Sequence, residues 1–173
     1  MKEFKQFLKS YFFPISLILI LSFSRLIPHP SNFTPILAVG VFSGFYFRNF
    51  LLAVLIIILS MFLGDLYLGF HDTMFFTYIS LVIAVAFGLL IKRLKFTEIL
   101  FSGLASSVCF FVITNFGAWL TLAMYEKNFA GLLQSYAMAI PFFHNTLIST
   151  FLYLIVLKLI FDLAIKKTSK ISA

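Results

Sequence analysis

Residues 50–70 read FLLAVLIIILSMFLGDLYLGF, a run of twenty-one residues whose one charged group is Asp65. As a helix rising about 1.5 Å per residue, such a run is about 30 Å long, the thickness of a bilayer's hydrocarbon core. A helix that is apolar all round belongs in lipid or deep inside a large protein. The chain as a whole is 62% hydrophobic and 11% charged, where soluble domains carry roughly 25% charged residues. At about 20 residues per crossing, its 173 residues allow roughly six spans and short connections. The expectation is an all-α membrane protein with six transmembrane helices, forming a single domain over residues 1–173.

Apolar runs bounded by charge and turn signals predict helices at 11–27, 35–48, 50–70, 74–91, 97–124 and 135–164. Thr34 before Pro35, Asp72 or Thr73, and Thr97 have the chemistry of helix N-caps. The basic, then apolar, N-terminus resembles a signal peptide, but Arg25 falls where a small-residue cleavage site belongs, so the reading is a retained first helix. The net charge of +7 marks topology rather than nucleic-acid binding. Lys2, Lys5, Lys9, Arg48, Lys92, Arg93, Lys95, Lys166, Lys167 and Lys170 all fall on one side of a six-span chain, which puts both termini in the cytoplasm. The opposite loops, PHPSN (28–32), GFHDT (69–73) and YEKNFAGLLQS (125–135), hold Lys127 as their one clear positive charge. Lipid is the implied surrounding partner. Cys109 is the single cysteine; it permits no internal disulfide and reads as a small apolar side chain.

The polar residues left over carry the functional reading. Residues 140–150, IPFFHNTLIST, place His144 beside Asn145 within an apolar helix, where an unsatisfied amide costs on the order of 2–7 kcal/mol. Arg25, Asp65, Asn115 and Trp119 fall, with this pair, in the outer halves of their helices, and Asn32 lies in an outer loop. Asp65 needs a partner at its depth, either Arg25 or a ligand. Asn115 and Trp119 are four apart on one helix face; His144 and Asn145 point about 100° apart, so one can face a cavity while the other bonds to a neighbouring helix. Concentration at one end suggests a pocket open to the outside, with Arg25, Asn32, Asp65, Asn115, Trp119, His144 and Asn145 as substrate-binding residues. His29 and His71 lack metal-ligand spacing, so no metal site is expected. Gly40 and Gly44 form a GxxxG, and SGLASS at 102–107 gives a second small-residue face; both suit close helix contact within the chain or with another one.

No GxxxxGK[ST] loop, HExxH or GxSxG is present in the sequence, and one intramembrane histidine cannot supply both axial ligands of a haem. No enzyme activity and no cofactor are expected. A self-sufficient secondary transporter using Asp65 or His144 for proton coupling, an intramembrane enzyme, and a structural membrane protein are the alternatives to a solute-binding subunit.

RLIPHPSNFTPILAVGVFSGFYF (25–47), LGDLYLGFHDT (63–73), NFGAWL (115–120) and AIPFFHNTLIST (139–150) resemble, in order and spacing, a family of small bacterial membrane proteins of unknown function described as transport proteins. That family is similar to the substrate-binding S components of energy-coupling factor (ECF) transporters. The resemblance implies a six-helix S-component-like bundle in the bacterial inner membrane that captures a vitamin, cofactor precursor or similar solute. It also implies a transmembrane coupling subunit and two cytoplasmic ATPases as partners, with Gly40, Ser43 and Gly44 as the candidate contact. The alanine-rich AxxxA form of that contact is missing from the first helix.

Overall fold

A computed structural model describes residues 12, 15–16, 18–20 and 22–171, with side chains to residue 163. Lys2, Lys5 and Lys9 lie outside the described residues, as do the side chains of Lys166, Lys167 and Lys170. All regular structure among the described residues is helical. The described residues of the first expected helix are helical up to Phe23, and a 3-10 turn, Ser24–Leu26, follows. Five α-helices come next: α1 (Ile36–Phe47), α2 (Phe50–Leu68), α3 (Met74–Leu90), α4 (Phe96–Thr121) and α5 (Phe129–Ile171).

Among the described residues, three segments are long and apolar enough to cross a membrane, namely Phe50–Leu68, Phe96–Thr121 and Phe129–Leu163; α1 and α3 are apolar but shorter. The largest departures from the predicted boundaries are both in α5, which starts six residues before the expected position and ends seven residues after it; the early start has a local cause. Asn128 explains it: its Oδ1 accepts the Gly131 N–H at 2.8 Å, which caps a first turn that Glu126 and Lys127 disguise as loop. Pro141 lies inside α5 without ending it. Asn49 caps α2 through the Leu52 N–H at 3.0 Å. The starts of α1, α3 and α4 have Pro35, Thr73 and Lys95 at the N-cap and no side-chain cap bond. The hydroxyls of Thr34, Thr73 and Thr97 therefore do not cap as expected.

Helix α1 is the buried centre of the bundle: Ile36 through Gly44 are all buried. It packs against α2, α3, α4 and α5. Its closest neighbour is α3, which runs in the same direction. A Cβ added to Gly44 would lie 2.0 Å from the Val85 carbonyl oxygen, one added to Gly88 1.9 Å from that of Val41, and one at Gly40 3.2 Å from Ala84 Cβ. Backbones this close exclude any side chain at Gly44 and Gly88, which is how a GxxxG is used in apolar surroundings. The expected partner-contact patch is thereby corrected. Gly40, Ser43 and Gly44 are buried against α3, and Ser43 Oγ donates to Val39 O at 2.6 Å, so none of the three is presented to another subunit. The SGLASS face is likewise used inside the chain: Gly103 backs onto Phe151 and Leu154 of α5.

At one end of the bundle the Arg48 guanidinium donates to Leu89 O at 2.9 Å and to Lys92 O at 3.3 Å. Glu98 accepts the Lys92 and Arg93 N–H groups at 2.7 and 3.1 Å. These contacts gather Arg48, Lys92, Arg93 and Lys95 at one end, as the charge pattern requires. The segments 27–35, 69–73 and 122–128 occupy the other end. There Lys127 serves the fold, since its Nζ donates to the Trp119 and Leu122 carbonyls that α4 leaves open.

Candidate ligand cavity

A cavity of about 580 Å³ opens among the helices at the end opposite the basic cluster, within the usual range of roughly 300–1,000 Å³ for small-molecule pockets. Two helix faces build one side. From α4 come Phe110, Phe111, Thr114, Asn115 and Ala118, and from α5 come Ala139, Phe143, Thr146, Ser149 and Thr150. Steps of one, three and four keep each set on one side of its helix. The Phe111 and Phe143 rings meet with centroids 4.8 Å apart, and Ser135 Oγ donates to Asn115 O at 3.2 Å, which fixes the antiparallel register of the two helices. The other side consists of Arg25, His29, Asn32 and Thr34, with Met61 and Leu68 of α2 and Thr77 of α3.

Arg25 is held by a buried network. Its Nη1 lies 2.8 Å from Asp65 Oδ1 and donates to Met61 Sδ at 3.0 Å; the carboxylate contact is an ion pair by distance rather than an aligned hydrogen bond. Asp65 is 0% exposed, and its other oxygen accepts the Tyr78 hydroxyl at 2.7 Å. Gly64 lies beside the Arg25 side chain, at a distance where an added Cβ would make ordinary van der Waals contact, 3.6 Å from Cδ and Nη1. One turn of helix, α2 and α3 are thus joined by a neutralised pair. A charged end faces the cavity, and the acid is sealed behind it.

The family model of DUF6580, a family of unknown function, matches residues 5–171. The chain belongs to the DUF6580 family. The match runs through all five helices and every residue of the cavity. No curated protein and no solved structure is matched by the sequence.

Of the seven binding residues expected in this DUF6580 member, Arg25, Asn32 and Asn115 line the cavity, and Asp65 stands directly behind Arg25. Trp119, His144 and Asn145 are not part of its lining. Trp119 packs on Phe116 with centroids 5.5 Å apart, and its indole N–H donates to Glu126 O at 2.9 Å, so it ties down the turn after α4. Asn145 Nδ2 donates to Ser31 O at 3.0 Å, fastening the 27–35 segment to α5. His144 is exposed, on the same outward stripe as Ile140 and Ile148, which are 63% and 54% exposed. The 100° between neighbours thus turns the asparagine toward a loop and the imidazole outward.

Sequence reasoning passed over His29, His71, Thr77, Thr114, Thr146, Ser149 and Thr150, all in the lining. The last three offered a readable signal, because they share the spacing and helix face of Ala139 and Phe143. His29 Nδ1 lies 2.6 Å from Ile27 O, and because a carbonyl only accepts, this nitrogen carries a proton. His71 Nδ1 pairs with Thr73 Oγ1 at 2.9 Å. Among the described residues no group of three His, Cys, Asp or Glu is placed to hold a metal ion.

Proposed function

We propose that this protein is the substrate-binding membrane subunit of an uptake system, taking a small solute into the cavity from outside the cell. The cavity itself carries the reading: about 580 Å³ with twelve polar side chains among the twenty-two described residues that line it, in a chain whose long helices are otherwise covered in Leu, Ile and Phe. A packing scaffold has no use for so many polar groups around one hollow, whereas a solute does. The α1–α3 seam supports binding rather than open conduction, since glycine-mediated backbone contact fills the middle of the bundle beside the cavity.

In this reading α1 and α3 complete a six-span topology together with the first helix. The basic end faces the cytoplasm, the cavity faces outward, and the membrane is the bacterial inner membrane. The resemblance to ECF S components supports a coupling subunit and two ATPases as the energy source. With Gly40, Ser43 and Gly44 buried, such a subunit would dock on another face.

The test is a thermal-shift screen of the purified protein against vitamins, nucleobases and cofactor precursors, followed by uptake in cells with the chain deleted. A binder raises stability in proportion to its preference for the folded state, and Asn115→Ala should lower both that stabilisation and uptake. Uptake that is indifferent to deletion, or stabilisation unchanged in Asn115→Ala, would overturn the reading. Uptake by the purified protein in liposomes on a pH gradient alone would replace it with secondary transport.

A further inference from the structure

The hydrogen-bond polarity of the cavity is divided, and the division specifies a ligand. Along the wall, hydroxyl protons are already committed to backbone carbonyls: Thr77 Oγ1 donates to Thr73 O at 3.3 Å, Thr114 Oγ1 to Phe110 O at 2.7 Å, and Thr146 Oγ1 to Phe142 O at 3.3 Å. Ser149 Oγ donates to Thr146 O at 3.1 Å, and Asn115 Nδ2 to Phe111 O at 2.7 Å. A hydroxyl has one proton and two lone pairs, so the four hydroxyls meet a ligand as acceptors, while Asn115 keeps a second N–H and its carbonyl oxygen and can meet a ligand in either sense. A ligand that asked the hydroxyls to donate would have to break a helix bond first. Thr150 and Thr34 are exceptions among the described residues: the Thr150 hydroxyl is buried at the cavity without a partner, and the Thr34 hydroxyl, also in the lining, is not committed to a backbone carbonyl.

Arg25 supplies the opposite polarity. Nη1 is occupied by Asp65 and Met61, but among the described residues no acceptor meets Nε or Nη2. That leaves one edge of a planar donor fork for a ligand, in the geometry that matches a carboxylate. Among the described residues no Asp, Glu, Lys or second Arg lines the cavity. A single guanidinium, already balanced by Asp65, suits a monoanion better than a doubly charged phosphate. Phe110, Phe111 and Phe143 supply apolar surface in the same lining.

Resting on the uptake reading above, we infer that the solute is a compact carboxylic acid bearing amino, hydroxyl or ring N–H groups, its acid on the free edge of Arg25 and its donors on the hydroxyl wall of α4 and α5.

The experiment uses the full chain in detergent and compounds arranged as triplets, for example 4-aminobenzoate, 4-aminobenzamide and 4-(dimethylamino)benzoate, or 3-hydroxybenzoate, its amide and 3-methoxybenzoate. Amino acids with their amides and N-methylated forms, and neutral and cationic compounds, complete the set. The expected result is that the tightest binders are parent acids and that both derivatives bind at least tenfold more weakly. Thr114→Val with Thr146→Val should weaken the parent and leave its methylated form unchanged. Arg25→Met with Asp65→Asn, which removes both charges of the pair together, should weaken the parent and leave its amide unchanged. Amides or methylated forms that bind within threefold of their parents, or tightest binders that are cations or lack donors, would overturn the inference while leaving a binding subunit intact. Failure of every compound to bind would remove the uptake reading and this inference with it.

Discussion

Replacing Arg25 with methionine tests the network on which the cavity is built. Asp65 is fully buried, with Arg25 at 2.8 Å and the Tyr78 hydroxyl at 2.7 Å as its partners. At 2.8 Å the bare attraction is about 6 kcal/mol for an effective dielectric near 20, and desolvation of both ions offsets much of it. Removing one partner is different, because it strands a buried charge at a cost of about 3–5 kcal/mol. Tyr78 still donates to Asp65, which puts Arg25→Met near 3 kcal/mol, the low end of that range. At about 2–4 °C per kcal/mol for a chain of this size, the melting temperature should fall by about 6–12 °C. The sole tryptophan, Trp119, reports the transition by fluorescence in detergent, with far-UV circular dichroism as a second probe. Arg25→Met combined with Asp65→Asn should recover most of the loss, because an amide can still accept from Tyr78 and no charge remains. A single variant melting within about a degree of wild type, or a double variant as unstable as the single, would refute the buried pair.

Gly44→Ala and Gly88→Ala should each destabilise by about 1–3 kcal/mol or more, since the new Cβ meets backbone oxygen and forces α1 and α3 apart; Gly40→Ala, facing Ala84 Cβ at 3.2 Å, should cost less, and equal melting temperatures for the three would contradict the seam. Asn145→Ala should release the 27–35 segment, raising its hydrogen exchange by the loss of one bond worth about 1 kcal/mol; unchanged protection there would detach the segment from α5. His144→Leu should leave ligand-induced stabilisation unaltered, because the imidazole faces outward away from the cavity; abolished binding would return this histidine to the site. Trp119→Phe should speed exchange across 122–128 through loss of the Glu126 carbonyl contact, with no change in ligand affinity.

The polar doublet at His144 and Asn145 marks the limit of what spacing can tell. Its sequence position announces two costly groups in an apolar helix, and both are dealt with outside the cavity. Thr114, Thr146, Ser149 and Thr150 attract less notice because a hydroxyl can bond to its own helix backbone and so imposes no visible cost on a span. In Thr114, Thr146 and Ser149 those same internal bonds leave lone pairs facing the hollow. The quiet residues therefore line the cavity, and the conspicuous ones secure loops or point outward.

Composition and apolar periodicity by themselves determined an all-helical, membrane-suited chain, the approximate extents of its helices and the segregation of Arg48, Lys92, Arg93 and Lys95 to one end. These follow from local chemistry: every backbone polar group in an apolar run must be satisfied within its own helix, and clustered cations mark the ends of such runs. The tertiary structure decided how each helix is rotated. Rotation turned GxxxG inward against Ala84 and Val85, brought Arg25 to Asp65 across 40 residues of chain, and faced Asn115 into the cavity while Trp119, one turn later on the same helix, closed a loop. In helices that are apolar on nearly every side, no hydrophobic stripe marks which face is inside. Close approach of backbones at glycine and pairing of the few buried charges make that choice, and both depend on partners distant in sequence.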